Sequence, residues 1–150
     1  MKDPYTGSCL CGALCYEIKG EPITVYNCHC TECQKVAASA FGMSVRVGSE
    51  DFSITNGIYK KIKTIADSGS IKTGFFCPEC GTRICGKSDN IKFVVVKAGT
   101  LENPNWFFPI AHIWTRSAQD WFPFADELPK FSEQPENNEE LSELWQKRSL

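Results

Sequence analysis

The stretch Cys28-His29-Cys30-Thr31-Glu32-Cys33 places three cysteines within six residues. A C-x-C-x-x-C run brings soft thiolates close enough to converge on one tetrahedral metal ion. Two pairs bracket it, Cys9-Leu10-Cys11 before and Cys77-Pro78-Glu79-Cys80-Gly81 after. Of nine cysteines, seven therefore stand at metal-ligand spacing, and Cys15 and Cys85 are left over. Seven ligands divide naturally into four plus three. Zinc with four protein ligands is a structural staple, whereas zinc with three keeps a position open for chemistry. The expected partition is a closed site on Cys9, Cys11, Cys77 and Cys80, and an open site on Cys28, Cys30 and Cys33.

The rest of the composition narrows the setting. A chain of 150 residues is one ordinary domain, expected to have its core at about 7–131 and an acidic tail from about 132 to 150. A net charge of −2 gives no general attraction to nucleic acid or to an anionic membrane surface. The start, Met1 to Ser8, lacks the apolar segment of a signal peptide, and no apolar run approaches the roughly 20 residues that span a bilayer. A cytoplasmic protein is expected. In that reducing setting an odd number of cysteines in tight clusters points to metal, not to a disulfide framework.

Outward from the central run, the chain reads as mainly β. Leu14, Tyr16 and Ile18 alternate with Cys15, Glu17 and Lys19, the period of a half-buried strand. Pro22 to Asn27 is a second short strand that delivers the chain to Cys28. Thr31 is the expected N-cap of a short helix through Ala37, which places Cys33 in the first helical turn. Strands are expected at Phe41–Val47, Phe52–Thr55, Ile58–Ile65, Ile71–Phe76 and Arg83–Gly86, with Asn56-Gly57 as a hairpin turn. Lys60, Lys61 and Lys63 mark a solvated sheet edge. Phe93-Val94-Val95-Val96 has the continuous apolar character of a strand buried on both faces. Ala111–Thr115 is the expected last core strand. In the tail, Leu141, Leu144 and Trp145 recur at helical spacing, which predicts a short amphipathic helix docked on the body.

The pair Cys77 and Cys80, completed by Cys9 and Cys11, would clamp distant strands and contribute directly to folding free energy. The central run supplies three ligands, and Cys85, Cys15, His29 or His112 could close it. His29 lies between two ligands, so in an extended C-x-C its side chain points away from the metal and suits a supporting or proton-carrying role. An open zinc held by three thiolates already carries net negative charge and is a poor activator of water. It is better suited to bind a fourth, exogenous thiolate and keep that sulfur nucleophilic. The predicted chemistry is capture of a small thiol and its presentation to an electrophile.

These residues resemble the glutathione-dependent formaldehyde-activating enzyme family, which has the Mss4-like fold. The similarity runs from Gly7 to the Phe131 region. It is carried by Gly7-Ser-Cys-Leu-Cys-Gly-Ala, Asn27-Cys-His-Cys-Thr-Glu-Cys-Gln-Lys, Phe76-Cys-Pro-Glu-Cys-Gly-Thr, Gly99-Thr-Leu and His112-Ile-Trp with Ser117 and Trp121. The resemblance implies a Mss4-like antiparallel β-sheet fold with zinc knuckles and two zinc ions. By position, Cys9, Cys11, Cys77 and Cys80 match the family's structural ligands, and Cys28, Cys30 and Cys33 its catalytic ones. It further implies a carbon–sulfur lyase that joins glutathione to formaldehyde, giving S-(hydroxymethyl)glutathione. The chain departs from the family's common Cys-Arg-Lys and Gly-Ser text at Cys33-Gln34-Lys35 and Ala38-Ser39. Losing that Arg removes a fork suited to a carboxylate, which leaves Lys35, Arg46 and Arg116 as candidate anchors for the thiol substrate.

Two other readings differ in class. A zinc-stapled binding module would have four protein ligands on its second metal, or an exposed apolar patch where an enzyme has a pocket. A thiol-based reductase of the methionine sulfoxide type would need a reactive metal-free cysteine, and only Cys15 and Cys85 are available for that role.

Overall fold

A computed structural model describes residues 4–148. Ten strands and two helices follow one another as β1 (Tyr5–Ser8), β2 (Cys15–Ile18), β3 (Thr24–Cys28), α1 (Thr31–Ala37), β4 (Gly42–Gly48), β5 (Phe52–Asn56), β6 (Lys60–Ile65), β7 (Ile71–Phe76), β8 (Arg83–Ser88), β9 (Phe93–Lys97), β10 (His112–Ile113) and α2 (Glu140–Arg148). The strands form two sheets. One has the order β1-β2-β5, and the other β10-β3-β4-β9-β8-β7-β6. Pairing is antiparallel throughout except between β10 and β3, which run parallel. That pair qualifies the expected wholly antiparallel sheet.

The main core lies between the sheets. Leu14, Tyr16 and Ile18 of the small sheet and its approach are buried with Val25, Val45, Val47, Ile84, Val94 and Val96. The opposite face of the large sheet carries a second cluster, in which Tyr26, Cys28 and Ile113 meet Leu141 of α2. Helix α2 sits there as its spacing predicts: Leu141 is fully buried, and Thr24 Oγ1 donates to the Leu141 carbonyl at 2.8 Å.

Three sequence expectations are corrected. Strand β9 is not apolar on both faces. Val94 and Val96 point into the inter-sheet core, while Phe93, Val95 and Lys97 lie on the other face and line a cavity. Asn56-Gly57 does not turn a hairpin. β5 pairs with β2 and β6 pairs with β7, so the chain crosses between sheets at this point. Gly57 is needed there because its φ is +85° and a Cβ would stand 2.1 Å from the Ala13 carbonyl oxygen. The N-cap of α1 is Cys30 in place of Thr31, and its Sγ accepts from the Cys33 backbone N–H at 3.2 Å. A cysteine sulfur thus does the capping that a hydroxyl was expected to do, and the metal loop and the helix start are one structure.

Candidate metal centres and thiol cavity

The first cysteine group is built by two tight turns. Cys9 and Cys11 lie in the turn from β1 to β2, and Cys77 and Cys80 in the turn from β7 to β8. Backbone bonds close the second turn, with Gly81 N–H donating to the Cys77 carbonyl at 2.9 Å and Gly81 at φ +76°. The Leu14 N–H donates to Cys9 Sγ at 3.3 Å, and the Leu10 N–H donates to Thr82 Oγ1 at 3.2 Å, which ties one turn to the other. Hydrogen bonds from the Thr82 hydroxyl and backbone pull the Cys80 thiol down to about 5. The sulfurs stand 3.6 Å apart for Cys9 and Cys11 and 3.8 Å apart for Cys11 and Cys77. A tetrahedron with zinc–sulfur arms of ~2.3 Å has edges of about 3.8 Å, whereas a disulfide bond is about 2.05 Å long. The spacing fits four thiolates around one ion.

The second group is Cys28, Cys30 and Cys33, all buried, with sulfurs within 4.8 Å of one another. Cys28 ends β3, Cys30 caps α1, and Cys33 lies in its first turn. Among the described residues no other Cys, His, Asp or Glu joins this group. Cys85 is buried in the inter-sheet core, where burial pushes its thiol up to about 12. The Cys15 Sγ lies 3.3 Å from the Gly12 carbonyl, beside the other group. Within the three, hydrogen bonds from Cys28 and Cys30 and the charges of Lys97 and Lys72 favour the thiolate of Cys33, whereas the Cys28 thiol is pushed up by its two sulfur neighbours. Three close sulfurs, one of them biased toward the thiolate, suit a soft divalent cation.

His29 turns away from the sulfurs, as strand alternation requires. Its ring is fully buried among Phe41, Phe122 and Phe124. His29 Nε2 is 2.9 Å from His112 Nδ1, and His112 Nε2 is 2.8 Å from Asp126 Oδ2. Burial and the neighbouring His112 push the His29 imidazole down to about 4. His112 is therefore engaged through both ring nitrogens and is not a fourth ligand.

The three sulfurs open onto a cavity of about 220 Å³ on the large sheet. Alternate residues of successive strands form its floor: Tyr26 and Cys28 of β3, Ser44 and Arg46 of β4, and Phe93, Val95 and Lys97 of β9. Gly42 leaves the passage to the sulfurs clear. A Cβ there would meet Cys33 Cβ at 3.2 Å and Lys97 Nζ at 3.7 Å. The tip of the β6–β7 hairpin forms one wall, where both the Thr31 N–H and its hydroxyl donate to the Asp67 carboxylate. Trp114, held at φ +58°, and Gln134 and Asn138 from the tail complete it.

The three anchors expected from sequence separate here. Arg46 lines this cavity and is 5% exposed. Lys35 is exposed and borders a different, shallow hollow with Phe41 and Trp121. Arg116 is on the surface, paired with Glu133 and stacked over Trp114 at 5.1 Å. Gln34, at the departure from the family text, ties the metal loop down: its Nε2 donates to the carbonyls of His29 and Ser117, each at 2.8 Å. Lys97 and Gly42 escaped the sequence reading. The only trace of Lys97 was its place two residues after Val95, on the face that Phe93 and Val95 share.

The sequence pattern of the glutathione-dependent formaldehyde-activating enzyme family matches residues 4–117, and both cysteine groups fall within that span. The chain belongs to this family. No curated protein matches the chain. A crystal structure of a Rhodobacter sphaeroides protein superimposes with a TM-score of 0.52 at 20% identity, covering 67% of this chain and 92% of that one. That likeness extends to the fold. Gln134, Asn138 and α2 lie beyond the family match, so this member completes its cavity wall with its own tail.

Proposed function

We propose that the protein is a zinc-dependent carbon–sulfur lyase of the glutathione-dependent formaldehyde-activating type. Cys9, Cys11, Cys77 and Cys80 would hold a structural zinc, and Cys28, Cys30 and Cys33 a second zinc with one position free for a thiol. The observation that carries this reading is the three-sulfur group opening onto a cavity with no fourth protein ligand among the described residues. A zinc ion bound there lowers the pKa of an incoming thiol and keeps its sulfur nucleophilic.

The chain's own residues supply the remainder. The wall formed by Trp114 and the hairpin tip limits water at the sulfurs. The thiol sulfur attacks the aldehyde carbon, a carbon–sulfur bond forms, and the carbonyl π pair moves onto oxygen. Lys97 Nζ, beside Cys33, is placed to donate a hydrogen bond to that oxygen as its charge grows. The proton lost by the thiol, returned through solvent, protonates the oxygen to give the S-hydroxymethyl product, and the reverse sequence releases aldehyde and thiol. The His29 ring lies outside the cavity, so His29 is assigned the task of fixing the Cys28–Cys30 backbone and no proton-transfer step. Glutathione and formaldehyde are the substrates that the family name points to.

The test is exchange between formaldehyde and its glutathione adduct, followed by carbon-13 NMR on zinc-loaded protein. Acceleration that disappears in Cys30→Ser supports the lyase. Equal rates for the two proteins and for buffer alone would end the proposal.

A further inference from the structure

Arg46 is a buried guanidinium, 5% exposed, with no counter-anion among the described residues. Its Nη2 makes one long hydrogen bond, 3.4 Å to the Tyr26 hydroxyl, and its Nε is buried with no partner. The guanidinium carbon lies 4.3 Å from the Phe93 ring centre and 5.4 Å from that of Tyr26. Arginine is almost never buried without a partner, because stripping its water costs several kcal/mol unless an anion replaces it. Two aromatic faces hold the fork but satisfy none of its N–H donors. Three of the cavity's other basic groups have partners nearby, and the fourth, Lys87, is exposed to solvent. Arg83 pairs with Glu32 at 3.5 Å, Glu32 also stabilises the Lys72 ammonium, and Lys97 faces the cysteine sulfurs.

The position of Arg46 sets a length. Gly42 abuts Cys33, and Arg46 lies four residues further along β4, about 13 Å at the rise of a strand. The fork leans toward Phe93, which pairs with Gly48 still further from the sulfurs. We infer that Arg46 is a carboxylate-binding subsite for the thiol substrate, and that it selects thiols whose carboxylate is separated from the sulfur by peptide-scale distance. Cysteine and mercaptopropionate are too short to reach both ends, since one extended residue spans only ~3.5 Å. A tripeptide thiol, about 10 Å long when extended, covers most of that backbone separation. The inference rests on the thiol-capture reading for the sulfur end and on Arg46 alone for the other.

Two measurements separate these ends. In cobalt-substituted protein, the sulfur-to-metal charge-transfer band reports thiol binding directly. Glutathione is expected to bind Arg46→Met on the order of tenfold or more weakly than the parent protein, the range of a charge-assisted hydrogen bond. Cysteine should bind both proteins alike, and Arg46→Lys, which keeps charge without the fork, should fall between. The second measurement is calorimetry with S-methylglutathione, which has the carboxylates but no thiol. Its binding should weaken in Arg46→Met and persist in Cys30→Ser. A band that no thiol perturbs would sink the thiol-capture reading, and the calorimetry would still test the subsite. Equal glutathione and S-methylglutathione affinities in the parent, Arg46→Lys and Arg46→Met proteins would overturn the subsite.

Discussion

His29 Nε2 lies 2.9 Å from His112 Nδ1 in a fully buried pair that ends, through His112 Nε2, on the Asp126 carboxylate. The hydrogen bond from His112 holds the Asp126 carboxyl below the usual carboxylate range although burial opposes it, so Asp126 accepts from the Nε2–H of His112. His112 Nδ1 and His29 Nε2 share the remaining hydrogen bond, its direction following the tautomer. A residue flanked by two metal-loop cysteines is thereby fastened to β10 and to the segment beyond it.

Breaking that chain should loosen the metal loop from behind. His112→Phe leaves both His29 and Asp126 without their partner, and a loss of about 1–3 kcal/mol is expected for an unsatisfied buried donor. Urea unfolding of the zinc-loaded protein measures it. Asp126→Asn, which can still accept one hydrogen bond, should cost less than His112→Phe.

Gly42 should not tolerate a branched side chain. Valine at this position would crowd Cys33 and Lys97 together, because even a Cβ stands 3.2 Å from Cys33 Cβ. Gly42→Val is expected to bind one zinc instead of two while keeping the parent's far-ultraviolet circular dichroism. Metal analysis after gel filtration reads the difference.

Gly57 is a fold position with no site role. Its φ is positive, and a side chain would bring its Cβ within 2.1 Å of the Ala13 carbonyl oxygen, which forbids one without backbone movement. Gly57→Ala should destabilise by roughly 1–3 kcal/mol with zinc content unchanged, the reverse of the Gly42→Val pattern.

The two leftover cysteines should behave oppositely toward alkylation. Cys15 is partly exposed on β2, whereas Cys85 is fully buried with its thiol pushed up to about 12. Iodoacetamide under mildly alkaline conditions should label Cys15 in folded zinc-loaded protein and reach Cys85 only after unfolding. Mass spectrometry of the peptides decides, and rapid labelling of Cys85 would contradict its placement in the core.

Much of the site was legible because metal ligation is written in local spacing. The pairs Cys9–Cys11 and Cys77–Cys80 each fit within one turn, and Cys28 to Cys33 within one turn and a helix start. Strands with clean alternation, such as Leu14-Tyr16-Ile18, were equally visible. What escaped depends on contacts distant in sequence. Asn56-Gly57 has the composition of a hairpin, yet Gly57 is required by Ala13, more than forty residues earlier in the chain. Phe93 to Val96 reads as uniformly apolar, but only the cavity distinguishes Val95 from Val94 and Val96. Arg46 was legible as one of three candidate anchors, but only its enclosure by Tyr26 and Phe93 sets it apart from Lys35 and Arg116.

The open coordination position proposed for the Cys28–Cys30–Cys33 metal is tested most directly by cadmium-113 NMR of the doubly substituted protein. Two resonances are expected, one at the four-sulfur position and one displaced from it. Glutathione should move only the displaced resonance toward its neighbour, as a fourth sulfur joins three. Two resonances that both stand at the four-sulfur position beforehand, and that ignore the thiol, would contradict the open site.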